Sequence, residues 1–306
     1  MNQHVPVLRD QVLEQLAIRD DGFYVDCSFG RGGHSRAILA ALGPRGRLLA
    51  LDCDPDAVRV ASELAAQDAR LHPVQARFSQ LAGIIAAQPD DKVDGVLADL
   101  GVSSPQLDDP ARGFSFMRDG PLDMRMNPAC GESAADWLDR ADESEIARVL
   151  RRYGEEPQAR RIARAICRRR DDAPLSRTGE LADTIERAVP RKPGGKHPAT
   201  RSFQAIRLYI NAELDELDAL LEQSLDLLRS GGRLCVISFH SLEDRRVKRF
   251  LRDHSRVDPA LARLPIVPDD AQPKMRLPCR AIRPDAAEVE VNPRARSATL
   301  RVGERL

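Results

Sequence analysis

Between Phe23 and Ser35 the chain runs without a break through a short apolar strand, a glycine-rich turn and the start of a helix. The segments are Phe23-Tyr24-Val25-Asp26, then Cys27-Ser28-Phe29-Gly30-Arg31-Gly32, then Gly33-His34-Ser35. This feature constrains the fold more than any other. A strand that feeds a helix through glycines belongs to a parallel sheet with crossover helices, and the turn lies where such sheets bind nucleotide cofactors. Glycine lets the backbone turn sharply and approach a ligand with no Cβ in the way. Asp52 closes the next apolar run, about 20 residues on, where a carboxylate can accept protons from both hydroxyls of a ribose.

The same alternation continues downstream. Residues 33–42 carry a helical pattern stopped by Gly43-Pro44, and residues 55–66 form a second helix with Asp54 as N-cap and Pro55 at its first position. Residues 71–75 and 93–98 read as third and fourth strands. The rhythm then breaks: residues 105–126 are rich in turns, residues 134–189 are helical and charged, and residues 201–228 read as one long helix. Strand language returns at residues 233–237, after the turn Ser230-Gly231-Gly232, and residues 297–302 read as a closing strand. The expectation is one α/β domain, residues 1–105 and 198–306, interrupted by a mostly helical insertion at residues 106–197.

The glycine loop also bears on the cofactor. A dinucleotide fingerprint, G-x-G-x-x-G, would need glycine at position 35, and Ser35 stands there. S-adenosylmethionine has no pyrophosphate, so it depends on close backbone approach more than on an anion-binding helix end. The loop therefore favours a methyltransferase, with Gly32, Gly33 and Asp52 as cofactor contacts. Phe78, just past the third strand, is a candidate to lie against the adenine ring, with ordinary core packing as the plainer reading.

The fourth strand ends in Ala98-Asp99-Leu100-Gly101, at the carboxyl edge where catalytic groups sit. Amino-methyltransferases place Asp or Asn there, followed by a proline-proline-aromatic turn, to hold the target amine by accepting its hydrogen bonds. Here the aspartate is present and Leu100-Gly101-Val102 replaces the turn. Asp99 is the candidate catalytic residue, as a base, an amine acceptor or a cofactor contact.

Formal net charge is zero, but it is unevenly placed. Residues 86–145 hold 14 acidic residues against 5 basic, and residues 148–207 hold 16 basic against 7 acidic. A basic helical stretch suits a phosphate backbone, and equally a solvated face with i,i+4 pairs. Arg160, Arg161, Arg164 and Arg168 recur at helical spacing, and Lys192, Lys196, His197 and Arg201 follow nearby; the set is read as phosphate contacts. The six cysteines form no C-x-x-C pair and read as free thiols. The histidines show no ligand spacing, so no metal is expected. With no basic start followed by an apolar stretch, and no apolar run near the ~18–20 residues of a membrane span, a soluble cytoplasmic protein is expected.

Longer blocks carry a family resemblance. They are residues 4–8 (His4 to Leu8), 29–35, 99–108 (Asp99 to Asp108), 112–116, 121–126, 153–156, 197–201, 238–245 (Ser238-Phe239-His240-Ser241-Leu242-Glu243-Asp244-Arg245) and 292–297. In these the chain resembles, along essentially its whole length, the bacterial ribosomal RNA small subunit methyltransferase H family. That family methylates the exocyclic N(4) amine of a cytidine in the decoding centre of 16S ribosomal RNA. Cys27-Ser28 is a small departure within the first motif. The resemblance implies a class I, Rossmann-like methyltransferase fold with a helical insertion that helps hold substrate. It also implies S-adenosylmethionine as cofactor, contacts from Gly32, Gly33, His34, Asp52, Phe78, Asp99 and Gln106, and no metal. His34 and Gln106 enter through the resemblance alone. The acceptor base must be exposed or flipped, which points to a small ribosomal subunit or an assembly intermediate as substrate.

Residues 238–244 also raise the possibility of a Ser–His–Asp nucleophile, but the spacing is too local and no G-x-S-x-G elbow exists. They are read as a strand-end loop at the site, leading into a helix with Ser241 as N-cap and Asp244 at the capping-box position. Three rival functions stand beside the main reading. They are a nicotinamide-dependent oxidoreductase, opposed by Ser35; a non-catalytic RNA-binding module, opposed by the intact loop and Asp52; and a DNA amino-methyltransferase, opposed by the missing proline turn.

Overall fold

The computed structural model describes residues 6–189, 194–195, 197–257, 260–261 and 268–306. These divide into two compact units, Met1–Gly101 with Asp215–Leu306, and Val102–Leu214.

The first unit is built on a sheet of seven strands: β1 (Phe23–Asp26), β2 (Arg47–Asp52), β3 (Leu71–Gln75), β4 (Val93–Asp99), β5 (Leu228–Ser238), β6 (Met275–Arg276) and β7 (Thr299–Arg305). Their order is β3-β2-β1-β4-β5-β7-β6. The first five are parallel, and β7 runs antiparallel between β5 and β6. Successive side chains of a strand point to opposite faces, and here both faces are covered. Phe23, Val25, Leu49, Leu51, Val96 and Val236 meet helices Leu81–Ala86, Glu213–Leu227 and Ser241–His254 on one side. Tyr24, Leu48, Ala50, Leu97, Cys235 and Ile237 meet helices Arg9–Leu16, Gly33–Ala41 and Pro55–Ala65 on the other. This is why the strands read as near-continuous apolar runs. The sheet reverses its order of growth between β1 and β4, so the carboxyl ends of these two strands flank the switch point.

The Asp54 side chain accepts the Asp56 N–H, with Pro55 at the first helical position, as the sequence predicts. Three expectations are corrected. Ser230-Gly231-Gly232 does not precede the strand but bulges within it: Val93 pairs with Leu228, Gly95 pairs with Arg233, and the intervening residues loop out at Gly231 (φ 81°). The helix expected over residues 201–228 is two helices, Ala199–Ile210 and Glu213–Leu227, parted at Ala212 (φ 53°). Asn211 explains the break. Its Oδ1 accepts the Met126 N–H at 2.7 Å and its Nδ2 donates to the Met124 carbonyl at 2.8 Å, so it holds a loop instead of continuing a helix. Finally, the helix after β5 is capped by His240 rather than Ser241, because it starts one residue earlier; Asp244 instead pairs with Arg301 at 2.7 Å.

The second unit packs helices Glu143–Gly154, Ala159–Asp172, Thr178–Ala188 and Ala199–Ile210 around Trp137, Leu150, Ile162, Ile166, Ile185 and Ile206. Glu145 satisfies the polar tips of two aromatic side chains, accepting from Trp137 Nε1 at 3.1 Å and from the Tyr209 hydroxyl at 2.9 Å. The helix Ala199–Ile210 thus lies in this compact unit, although the sequence pattern groups residues 198 onward with the sheet. Among the described residues, no helix is long and apolar enough to cross a membrane.

Candidate active site

The parallel order places the carboxyl ends of β3, β2, β1 and β4 along one edge, and each delivers a residue of interest. Asp26 ends β1 and is buried. Its Oδ1 accepts the Ser28 N–H at 3.0 Å and its Oδ2 accepts the Ser35 hydroxyl at 2.7 Å. The serine that replaces a dinucleotide-type glycine is therefore spent on fixing the loop. The Ser28 Oγ accepts the Asp99 N–H at 2.6 Å, which ties β4 to the same turn. Gly30 (φ 54°) and Gly32 (φ 75°) lie in the left-handed region, and a Cβ on Gly32 would stand 2.6 Å from the Phe29 ring. Only glycine makes this turn without strain.

Asp52 ends β2. Its Oδ2 accepts the Gly30 N–H at 2.8 Å and its Oδ1 accepts the Asp54 N–H at 2.9 Å. Burial, working against these two hydrogen bonds, pushes its carboxyl up to about 6. In the free protein a carboxyl raised above its unfolded value favours the proton. Its contribution to stability is complete below about pH 4, the ordinary range for Asp, and is lost as pH rises through about 6. A ligand that donates hydroxyl protons to the carboxylate has the opposite preference. Ligand affinity is thus expected to weaken as pH falls below about 6, by at most about tenfold per pH unit for one proton. Titration calorimetry from pH 5 to 8 checks this; Asp52→Asn should flatten the profile and weaken binding throughout.

Phe78 opens a short 3-10 helix after β3, half-buried against the sheet core, so it serves packing and still borders the edge. Gly33 and His34 open the helix Gly33–Ala41. His34 is buried, with its Nε2 3.6 Å from Asp99 Oδ2. Burial pulls the imidazole down, but Asp99, with Asp26 and Glu288 behind it, more than offsets this and holds His34 above its ordinary value. Neither His34 Nε2 nor Asp99 Oδ1 has a hydrogen-bond partner among the described residues, though both atoms are buried. His240 Nε2, just past the end of β5, is in the same condition.

Gln106 belongs to the second unit, in the helix Ser104–Asp108, where its Oε1 accepts the Ser103 N–H at 2.8 Å. Asp26 and Glu288 escaped the sequence reading. Asp26 had a signal, an acid at a strand's carboxyl end like Asp52 and Asp99. Glu288 had none, since only the fold brings its Oε1 to the Leu8 N–H (2.7 Å) and its charge to His34.

In the second unit Arg160, Arg161 and Arg168 are exposed and pair with no carboxylate among the described residues, whereas Arg164 pairs with Glu143 at 3.5 Å. His197 is engaged by Glu186 (3.7 Å) and stacks near Phe116. Arg201 donates to the Glu155 carbonyl at 3.3 Å. Lys192 and Lys196 lie outside the described residues, as do His4 and Val5.

A doubly wound sheet in the order β3-β2-β1-β4-β5-β7-β6, with one antiparallel strand and acids at the ends of β1, β2 and β4, defines a class I methyltransferase domain. A family model described as the MraW methylase family matches residues 1–306, and the chain belongs to that family. It is 54% identical over 307 residues to the ribosomal RNA small subunit methyltransferase H of Coxiella burnetii, covering 100% of both chains. It is 53% identical over 304 residues to that of Alcanivorax borkumensis, covering 99% of this chain and 97% of the relative. Among solved structures, a putative rRNA methylase from Clostridium thermocellum aligns over 99% of this chain and 100% of its own, with 12% identity and a TM-score of 0.45.

Proposed function

We propose that this protein transfers a methyl group from S-adenosylmethionine to 16S ribosomal RNA of the small subunit, and that the acceptor is the exocyclic N(4) amine of a cytidine in the decoding centre. Full-length kinship with ribosomal RNA small subunit methyltransferase H proteins supports the reaction and the RNA class. One observation carries the amine: Asp99 Oδ1 is buried at the end of β4 with no hydrogen-bond partner among the described residues. A buried acceptor left unpaired costs about 1–3 kcal/mol, and an amine N–H would remove that cost.

The residues present suit the cofactor. Asp52 takes the ribose hydroxyls, the Gly30–Gly33 backbone lies against the ligand, Phe78 borders the adenine, and His34 completes the set. When bound, S-adenosylmethionine supplies a methyl group on a cationic sulfur. Asp99 orients the amine by accepting its hydrogen bond and is placed to take the proton that the nitrogen loses. His34, its Nε2 3.6 Å from Asp99 Oδ2, helps to keep that carboxylate fixed. Alignment of this kind accounts for up to roughly 7–11 kcal/mol of a barrier. The helical unit is the substrate-recognition part in this reading, with Arg160, Arg161 and Arg168 as phosphate contacts.

The test is transfer of labelled methyl groups to small ribosomal subunits from cells lacking the protein, followed by nucleoside analysis. N(4)-methylated cytidine is the expected product. Label in another nucleoside would move the acceptor, and failure to bind S-adenosylmethionine would remove the reading altogether.

A further inference from the structure

His240 is not used by the mechanism above, yet its surroundings are specific. It caps the helix Ser241–His254 by accepting the Glu243 N–H on Nδ1 (3.4 Å). An Nδ1 that accepts leaves the proton of a neutral imidazole on Nε2. Glu243, itself buried, braces the loop by accepting the Phe239 N–H at 3.0 Å on Oε2. Its Oε1 stands 3.0 Å from His240 Nε2 but without the alignment of a hydrogen bond, so Nε2 is buried and unsatisfied. The ring is therefore held in place with a donor in want of an acceptor.

The strand end that leads to this donor runs beside the strand end that carries Asp99. Asp99 pairs with Ile237 across the sheet, the Leu100 N–H donates to the Ile237 carbonyl at 3.0 Å, and a Cβ on Gly101 would lie 3.9 Å from the Phe239 ring. Residues 99–101 and 237–239 thus run side by side, and this edge carries two buried atoms that make no hydrogen bond among the described residues, an acceptor (Asp99 Oδ1) and a donor (His240 Nε2).

We propose that His240 is a substrate-contacting residue that donates from Nε2 to the ring nitrogen N3 of the target pyrimidine while Asp99 accepts from its exocyclic amine. This rests on the cytidine reading given above. Cytosine presents a donor at N4 directly beside an acceptor at N3; uracil presents the reverse order on that edge. The Asp99–His240 pair therefore matches one pyrimidine and opposes the other, as expected of a site that reads an extruded base by its pairing edge.

The test uses reconstituted small subunits carrying 3-deazacytidine, in which a C–H replaces N3, at the methylated position. Single-turnover rates are compared for the wild-type protein and His240→Ala, with cofactor affinity measured for both. Loss of N3 is expected to slow the wild type by about tenfold or more and the variant hardly at all, with cofactor affinity unchanged by the substitution. An equal slowing of both proteins, or an insensitive wild type, would overturn the contact. A wild type that fails on unmodified cytidine would overturn the cytidine reading and this contact together. If His240→Ala does not fold, His240→Phe, which keeps a planar ring but has no N–H donor, gives the same comparison.

Discussion

Replacement of Asp99 by alanine is expected to slow single-turnover methyl transfer by about 10²–10⁴-fold while leaving the melting temperature nearly unchanged. Apart from its contact with His34, the side chain contributes little to the fold. Its Oδ1 has no hydrogen-bond partner among the described residues, and the bond that ties this strand end to the glycine loop runs from its backbone N–H to Ser28. The substitution also strands His34, whose imidazolium owes its raised pKa largely to Asp99. His34 should therefore give up its proton more readily in the variant. Imidazole chemical shifts followed by NMR should show its titration moving to lower pH than in the wild type. Asp99→Asn separates the roles: an amide can accept from the amine but cannot take its proton. A near-normal rate for Asp99→Ala at saturating cofactor and RNA would dispose of any essential part for this residue.

Gly113→Ala is expected to destabilise the inserted unit by about 2–5 kcal/mol, the sum of a left-handed backbone and an overpacked contact. Gly113 has φ 73°, and its added Cβ would overlap the Pro121 carbonyl oxygen and stand 2.7 Å from the Asp123 nitrogen. Neither can retreat easily. The Met124 N–H donates to the Arg112 carbonyl, the Leu122 N–H to the Ser176 carbonyl, and the Ala134 N–H to the Asp123 carbonyl. A thermal melt followed by circular dichroism should show a midpoint lower by on the order of 10 °C. A midpoint within about 2 °C of wild type would mean that the loop yields where these bonds say it should not.

What the sequence disclosed follows from how local its signals are. β1, the glycine turn and Asp52 were legible because strand, turn and acid follow one another within a few turns of chain, and a parallel sheet turns that spacing into adjacency. The break at Ala212 was hidden because its cause, Asn211, acts on Met124 and Met126, far away in sequence. The bulge at Gly231 was hidden because a glycine pair reads alike as a turn or as an irregular strand. β6 was missed because two residues carry no period. At the site, Asp52 and Asp99 declared themselves by their place at strand ends. The acids that raise His34 come from β1, β4 and the helix Ala286–Val291, and only the fold assembles them.

The position of the insertion has a consequence for the order in which the molecule is made. β4 finds its neighbour β5 only after all of Val102–Leu214 has been synthesised, since Asp99 pairs with Ile237. Closing so long a loop is an entropic burden, though one that grows only with the logarithm of its length. The intervening helices make mostly local contacts and belong to the fast-folding regime. Once collapsed, they replace a long flexible tether by a compact body. The insertion is thus expected to act as an early folding module that allows the sheet to be completed. Pulsed hydrogen exchange should find the amides of Val149, Leu150 and Ile166 protected before those of Val96 and Val236.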